Sequence, residues 1–189
     1  MAITDLGIVN SALIKLGAST ITALADNSRN AKLMNEQYSK IRDALLQDHP
    51  WNFACRWVEL EDNGNTSHAH PTFTYEIDLP ADCLRVWQLE HADEKYEVMD
   101  EGKLYCDLDT VKVKYIRSVT DPSKFSPAFA EALALKLAED MCFAITQNNS
   151  LKGTFLSQME LYLPRVRSVD GQENPGDDLM QDVFINARY

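Results

Sequence analysis

The hydrophobic period of this chain changes twice. Apolar residues recur every three or four positions toward both ends and at every second position between them. A segment patterned for one period cannot bury its apolar side in the other conformation, so the chain is bound to be helical at its ends and stranded in its middle. The first helix is marked by Leu6, Val9, Leu13 and Leu16, with Thr4 as its N-cap and Gly17 in the place of a left-handed C-cap residue. Asp26-Asn27-Ser28 supplies caps for a second helix with the stripe Met34, Tyr38, Ile41 and Leu45. His49-Pro50 stops it, because a residue before proline is pushed out of the helical region.

The period then becomes two. Cys55 to Leu60 reads as a strand. Phe73, Tyr75, Ile77 and Leu79 alternate with Thr74, Glu76 and Asp78 in another, closed by Pro80. Tyr96 and Val98 lead into the turn Asp100-Glu101-Gly102, and Leu104 and Cys106 lead out of it, as in a hairpin. Val111, Val113 and Tyr115 alternate with Lys112 and Lys114. The polar segment Asp62 to His70 reads as a surface loop. Helical spacing returns at Ser126-Pro127, an N-cap followed by proline at the first helical position. Ala130, Ala134, Leu137, Met141 and Ile145 form a stripe that Phe129 and Leu133 widen; Asn148-Asn149 ends it and Ser150 is placed to cap the next helix. That helix carries Phe155, Met159, Tyr162 and Val166. It contains Pro164, which costs ~3 kcal/mol in a helix interior and predicts a kink or break at Leu161 to Pro164.

The fold class that follows is α+β. Residues 1–50 and 121–170 build a helical bundle, residues 51–120 an inserted antiparallel β domain, and residues 171–189 an extended C-terminal tail. The longest apolar run falls far short of a membrane span, so no membrane anchor is expected. Met1-Ala2-Ile3-Thr4-Asp5 is not a basic start before an apolar block, so no signal peptide is expected and the chain should remain in the cytoplasm that makes it. Cys55, Cys83, Cys106 and Cys142 include no CxxC pair and read as reduced thiols. A formal charge of −11, from 29 acidic and 18 basic side chains, argues against general affinity for nucleic acid, which needs clustered Lys and Arg.

Motifs for chemistry are sparse. The chain has no P-loop, GxGxxG, GxSxG or HExxH, and no cofactor is expected. His68 and His70 stand two apart in the polar loop but lack the third and fourth ligands a metal site needs. Glu59, Glu61 and Asp62, or Asp107 and Asp109, could pair as the carboxylates of a glycan hydrolase, yet acids at alternate strand positions also form the ordinary solvent face of a sheet. Trp51, Phe53 and Trp57 sit where the second helix turns into the β domain and are expected to plug that junction. The tail ends in Val183-Phe184-Ile185 and Tyr189, apolar anchors after an acidic stretch, of the kind that docks onto a partner.

Five segments taken together resemble the tail tubular protein A family, the head-to-tail adaptors of short-tailed phages. They are Arg42-Asp43-Ala44-Leu45-Leu46 running into His49-Pro50-Trp51-Asn52-Phe53-Ala54; Tyr75 to Val86, with Asp78-Leu79-Pro80-Ala81-Asp82 at its centre; Val113-Lys114-Tyr115-Ile116 followed by Val119-Thr120-Asp121-Pro122; the alanine-rich stretch Phe129 to Ile145; and Arg167-Ser168-Val169-Asp170-Gly171-Gln172-Glu173. The resemblance covers roughly Leu6 to Glu173. It implies a structural protein and not an enzyme: a ring, usually of twelve copies, between the portal protein and the tail nozzle or next tail component, built into the virion neck and leaving a channel through which DNA passes without specific binding. It also implies that the C-terminal extension docks on the portal, with Phe184, Ile185 and Tyr189 as anchors by position and chemistry. An acidic lumen would repel phosphates and let DNA slide. The rival readings are a tail-associated glycan or cell-wall hydrolase and a head-completion adaptor of a long-tailed phage.

Overall fold

A computed structural model of the chain describes residues 2–65, 70–91, 93–99 and 102–173. Helix α1 (Asp5–Lys15) is opened by the Thr4 hydroxyl, which accepts the Gly7 N–H at 3.1 Å. Gly17 closes it at φ +67°, and Ala18 N–H donates back to the Leu13 carbonyl. Ser28 caps α2 (Arg29–Gln47) by accepting from Ala31 N–H. Ser126 does the same for α3 (Pro127–Thr146) through Phe129 N–H, with Pro127 in the first turn. Gln147, at φ +55°, ends α3 one residue before the Asn148-Asn149 pair. Asn148 then takes the capping place expected of Ser150: its side-chain oxygen accepts from the N–H groups of Ser150 and Leu151.

Helix α4 (Asn149–Glu173) corrects two expectations. It runs unbroken through Pro164, and it continues three residues past the boundary at 170, so Gly171, Gln172 and Glu173 are helical and not tail. Pro164 deprives the Glu160 carbonyl of its donor. Both residues are exposed, so water can take the bond, and the helix is carried through by Phe155, Met159 and Val166, buried on its other side.

Helix α3 is the axis of the bundle and packs against α1, α2 and α4. Its buried residues accordingly wrap around it: Phe129, Ala132, Leu133, Ala134, Leu135, Leu137, Ala138 and Cys142. The single stripe expected there is too narrow, since Ala130, Met141 and Ile145 are only half-buried. Alanines on this helix let three neighbours approach it closely.

The β domain comprises two three-stranded antiparallel sheets. The first has the order β1 (Cys55–Glu61), β6 (Thr110–Arg117), β3 (Cys83–Leu89); the second has β2 (Tyr75–Asp78), β5 (Lys103–Cys106), β4 (Glu97–Met99). The β4–β5 hairpin pairs Met99 with Lys103, and Gly102 takes φ +102° in its turn. The inner faces enclose a small core of Ile77, Leu89, Leu104, Val111, Val113 and Tyr115. Strand β6 serves both cores. Val111, Val113 and Tyr115 point between the sheets, while Ile116 points into the bundle beside Val119 and Phe125.

Trp51 is fully buried in the bundle core, and its indole N–H donates to the Leu45 carbonyl at 3.0 Å. Trp57 does not plug the junction. It is 47% exposed, because Val58 and Leu60 are the inward residues of β1 and the two-residue period puts Trp57 outward with Glu59 and Glu61. Replacing Trp51 by Phe leaves the Leu45 carbonyl unpaired inside the core and is expected to cost about 1–3 kcal/mol. Trp57→Phe should stay within about 0.5 kcal/mol. Urea unfolding of the two variants measures both; equal shifts would contradict these placements.

Candidate functional site

Aromatic and polar side chains remote from one another in sequence converge on the seam between bundle and sheets. Trp51 meets Phe129 edge-on at 5.1 Å between ring centroids; Phe53 meets Phe129 at 5.0 Å and Phe125 at 5.7 Å; and Phe125 meets Phe129 at 5.0 Å. Edge-to-face packing of this kind adds about 0.5–1.5 kcal/mol per pair beyond area burial. Asp170, near the end of α4, accepts from the Asn52 backbone N–H, and the Asn52 amide donates to the Asp170 carbonyl. The His49 ring lies 3.4 Å from the same carboxylate and 4.7 Å from Trp51. Burial pushes the His49 pKa down and the Asp170 pKa up from their ordinary values. On the other side of the seam, the buried Arg42 donates to Asp43 at 2.9 Å and reaches Ser118. Ser118 donates its hydroxyl to Asp43 and its N–H to the Asp82 carbonyl. Tyr115 donates to the Asp82 carboxylate. Every one of these partners is remote in sequence from at least one other, so together they tie α2, β3, β6 and α4 into one joint.

The acids considered as a catalytic pair are not gathered into a cleft. Glu59 is registered opposite Lys112 and Glu61 opposite Thr110 on the outer face of the first sheet. Asp62 accepts from Glu76 N–H, and Asp107 accepts from the N–H and hydroxyl of Thr74, so both hold loops. Asp109 contributes its carbonyl to Asp62 N–H. His70 is stacked on Tyr105 at 4.8 Å. Its Nδ1 accepts from Thr72 and Phe73 N–H, which leaves Nε2–H to donate to Glu97 at 3.0 Å. His68 lies outside the described residues, as do Phe184, Ile185 and Tyr189. Among the described residues no group of three or more His, Cys, Asp or Glu is placed to hold a metal.

Two exposed surfaces remain. On the outer face of the first sheet, Trp57 lies across from Lys114 and Gln88 lies on the far side of that lysine, while Arg85 stacks over Trp87 at 5.3 Å. Lys112 pairs with Glu90 at 3.2 Å across the same face. The second surface is a crevice of about 400 Å³ between α2, α3 and α4, whose apolar floor of Ala44, Leu45, Leu156, Met159, Leu163 and Pro164 is edged by the charged Asp48, Lys136, Glu139, Glu160 and Arg167.

Alternation alone misses one residue. It puts Glu76 opposite Ile77 on a polar face, yet Glu76 is only 5% exposed. Its carboxylate accepts from Asn63 at 2.8 Å, Asn65 at 3.1 Å, Lys103 at 2.9 Å and Tyr105 at 3.0 Å. Lys103 and Tyr105, two apart on the neighbouring strand, were the available signal, but only the register of β2 with β5 brings them to Glu76. These bonds, that from Asn63 foremost, hold the Glu76 pKa at about 2, against an ordinary 4.5. Lys103 is pushed up by its bonds to Asp78 and Glu76.

The chain matches no protein-family model and no curated protein. No helix among the described residues is long and apolar enough to cross a membrane.

Because the Glu76 pKa is depressed in the folded state, its contribution to stability is complete above about pH 4.5 and is lost as the pH falls toward 2. Glu76→Gln should be less stable than the parent at pH 7 and should flatten the loss between pH 4.5 and 2. The check is the urea midpoint of both proteins across that range. Parallel profiles would mean that Glu76 is not the group responsible.

Proposed function

We propose that this chain is a phage head-to-tail adaptor: a structural subunit that assembles, about twelve to a ring, between the portal protein and the tail nozzle or next tail component. It has no catalytic role in this reading and takes no cofactor. It is made in the host cytoplasm and ends in the virion neck, and DNA passes through the ring without specific binding. The observation that carries the reading is the joint at the bundle–sheet seam. The segments resembling the tail tubular protein A family, at Arg42–Leu46, His49–Ala54, Tyr75–Val86, Val113–Ile116, Val119–Pro122, Phe129–Ile145 and Arg167–Glu173, supply Trp51, Phe53 and Phe129 of its ring cluster and Arg42, Asp43, Asn52, Asp82, Tyr115 and Asp170 of its polar contacts, while Phe125 and Ser118 come from between them. A resemblance made of short scattered pieces is stronger when those pieces form one physical unit. The scatter of Glu59, Glu61, Asp62, Asp107 and Asp109 across loops and an open sheet face gives the hydrolase reading no comparable support.

A rigid joint suits this role. A ring subunit holds two partners at a fixed distance and angle, so the helical and stranded parts must not hinge on each other. The acidic balance, −11 per copy, suits a channel that DNA must leave. Portal docking is assigned to the C-terminal residues Phe184, Ile185 and Tyr189. Repetition around the ring adds avidity to each C-terminal contact.

Native mass spectrometry of the chain with a portal ring from the same phage tests the reading. Many copies per portal are expected. The triple variant Phe184→Ala, Ile185→Ala, Tyr189→Ala should keep the parent circular dichroism spectrum and lose at least tenfold in portal affinity. A chain that stays monomeric and ignores the portal would sink the adaptor assignment.

A further inference from the structure

The ring proposed above needs a contact between neighbouring copies, and α4 carries both halves of one. A helix on the surface of a bundle needs a single apolar stripe, which here is Phe155, Met159, Tyr162 and Val166. This helix has more. Leu156 is 49% exposed, Leu161 80% and Val169 51%. At 100° per residue, Leu156 and Leu163 flank the core stripe on one side, whereas Leu161, Arg165 and Val169 form a row, four residues apart, on the opposite flank. The far side of α4 is polar, with Ser157, Pro164 and Ser168 exposed, so the surplus apolar groups are confined to the two flanks beside the core stripe.

The two flanks differ in shape and charge. The Leu156 side opens into the crevice of about 400 Å³ beneath Ala44, Leu45, Met159 and Leu163. The basic groups at that crevice are already engaged: Lys136 with Glu139 at 2.6 Å and Asp140 at 3.3 Å, and Arg167 with Asp48 at 3.5 Å. Glu160 stands exposed on its rim with no ion pair among the described residues. The other flank is a ridge, and Arg165 stands exposed in its centre, likewise without an ion pair among the described residues. An apolar groove with a spare acid and an apolar ridge with a spare base, on opposite sides of one helix, are complementary to each other and not to themselves. That is the requirement for a head-to-tail contact, which repeats into a ring, and not for a two-fold dimer.

We propose that α4 is the subunit interface: the Leu161–Arg165–Val169 row of one copy seats in the α2–α4 crevice of the next, with Arg165 facing Glu160. The occupant of the crevice is a second copy of this chain. This assignment rests on the adaptor reading for its biological sense, but its test does not need the portal. Sedimentation velocity of the full chain over a concentration series should show association. Leu161→Glu removes the ridge and keeps the crevice; Leu156→Glu removes the crevice and keeps the ridge. Each variant alone should sediment as a monomer, at least tenfold weaker in association, while an equimolar mixture of the two should form a one-to-one heterodimer. Arg165→Glu should weaken association, and mixing it with Glu160→Arg should restore pairing. Unchanged urea midpoints establish that the variants are folded.

Parent protein that stays monomeric at every concentration overturns the proposal, as do variants that associate like the parent or a mixture that fails to pair. A crevice filled by the chain's own residues 174–189 would leave association indifferent to Leu156→Glu. The two readings also fail separately. A chain that associates through α4 but ignores portals loses the adaptor role and keeps the interface; one that caps portals while its variants associate like the parent does the reverse.

Discussion

Trp51 is the residue on which the two halves of this protein depend. Its ring is fully buried in the bundle core, its N–H donates to the Leu45 carbonyl in the last turn of α2, and β1 begins four residues after it. The side chain thus links the last turn of α2 to Phe129 of α3 at the point where the chain leaves the bundle for the first sheet. Phe53, Phe125 and Phe129 complete the cluster, and two of them lie more than 70 residues from Trp51 in the chain. Edge-to-face aromatic contacts tolerate little displacement, so a cluster of four rings resists the bending that a simple apolar contact would allow.

Two polar devices complement that joint. Asp170 clamps the end of α4 to the Asn52 backbone, and the Arg42–Asp43–Ser118 network clamps α2 to the strand that serves both cores. The buried charges of Arg42 and Asp170 each have hydrogen-bond partners, which is the condition for a buried polar group to strengthen a structure instead of weakening it. Glu76 plays the same part for the second sheet, whose four-residue and three-residue strands are too short to hold by backbone pairing alone.

Much of the architecture was legible in the sequence because it rests on local chemistry. The caps Thr4, Ser28 and Ser126, the left-handed Gly17 and the turn glycine Gly102 each act within a few residues of themselves, and each element begins or ends where they stand. The alternation of Val111, Val113 and Tyr115 states their burial directly. What failed were positions whose state depends on a distant neighbour. Pro164 was expected to kink or break its helix at Leu161 to Pro164, and the break is absent because packing against α3 carries the helix through. Trp57 was expected inside because tryptophan favours burial, but the register of β1 with β6 put it outside. Glu76 was given to solvent by its pattern and taken inside by Asn63, Lys103 and Tyr105.

The sequence by itself determined the α+β class, the four helices and five of the six strands, since hydrophobic period and capping are properties of short segments, whereas β3 (Cys83–Leu89) was not read from it. Only the tertiary structure decided that α3 is the axis, that β6 is shared by two cores, that Trp51, Phe53, Phe125 and Phe129 meet in one cluster, and that Leu156, Leu161 and Val169 of α4 are left exposed. Those outcomes are set by which surfaces pair over long separations, and pairing is a property of the whole chain that no single segment encodes.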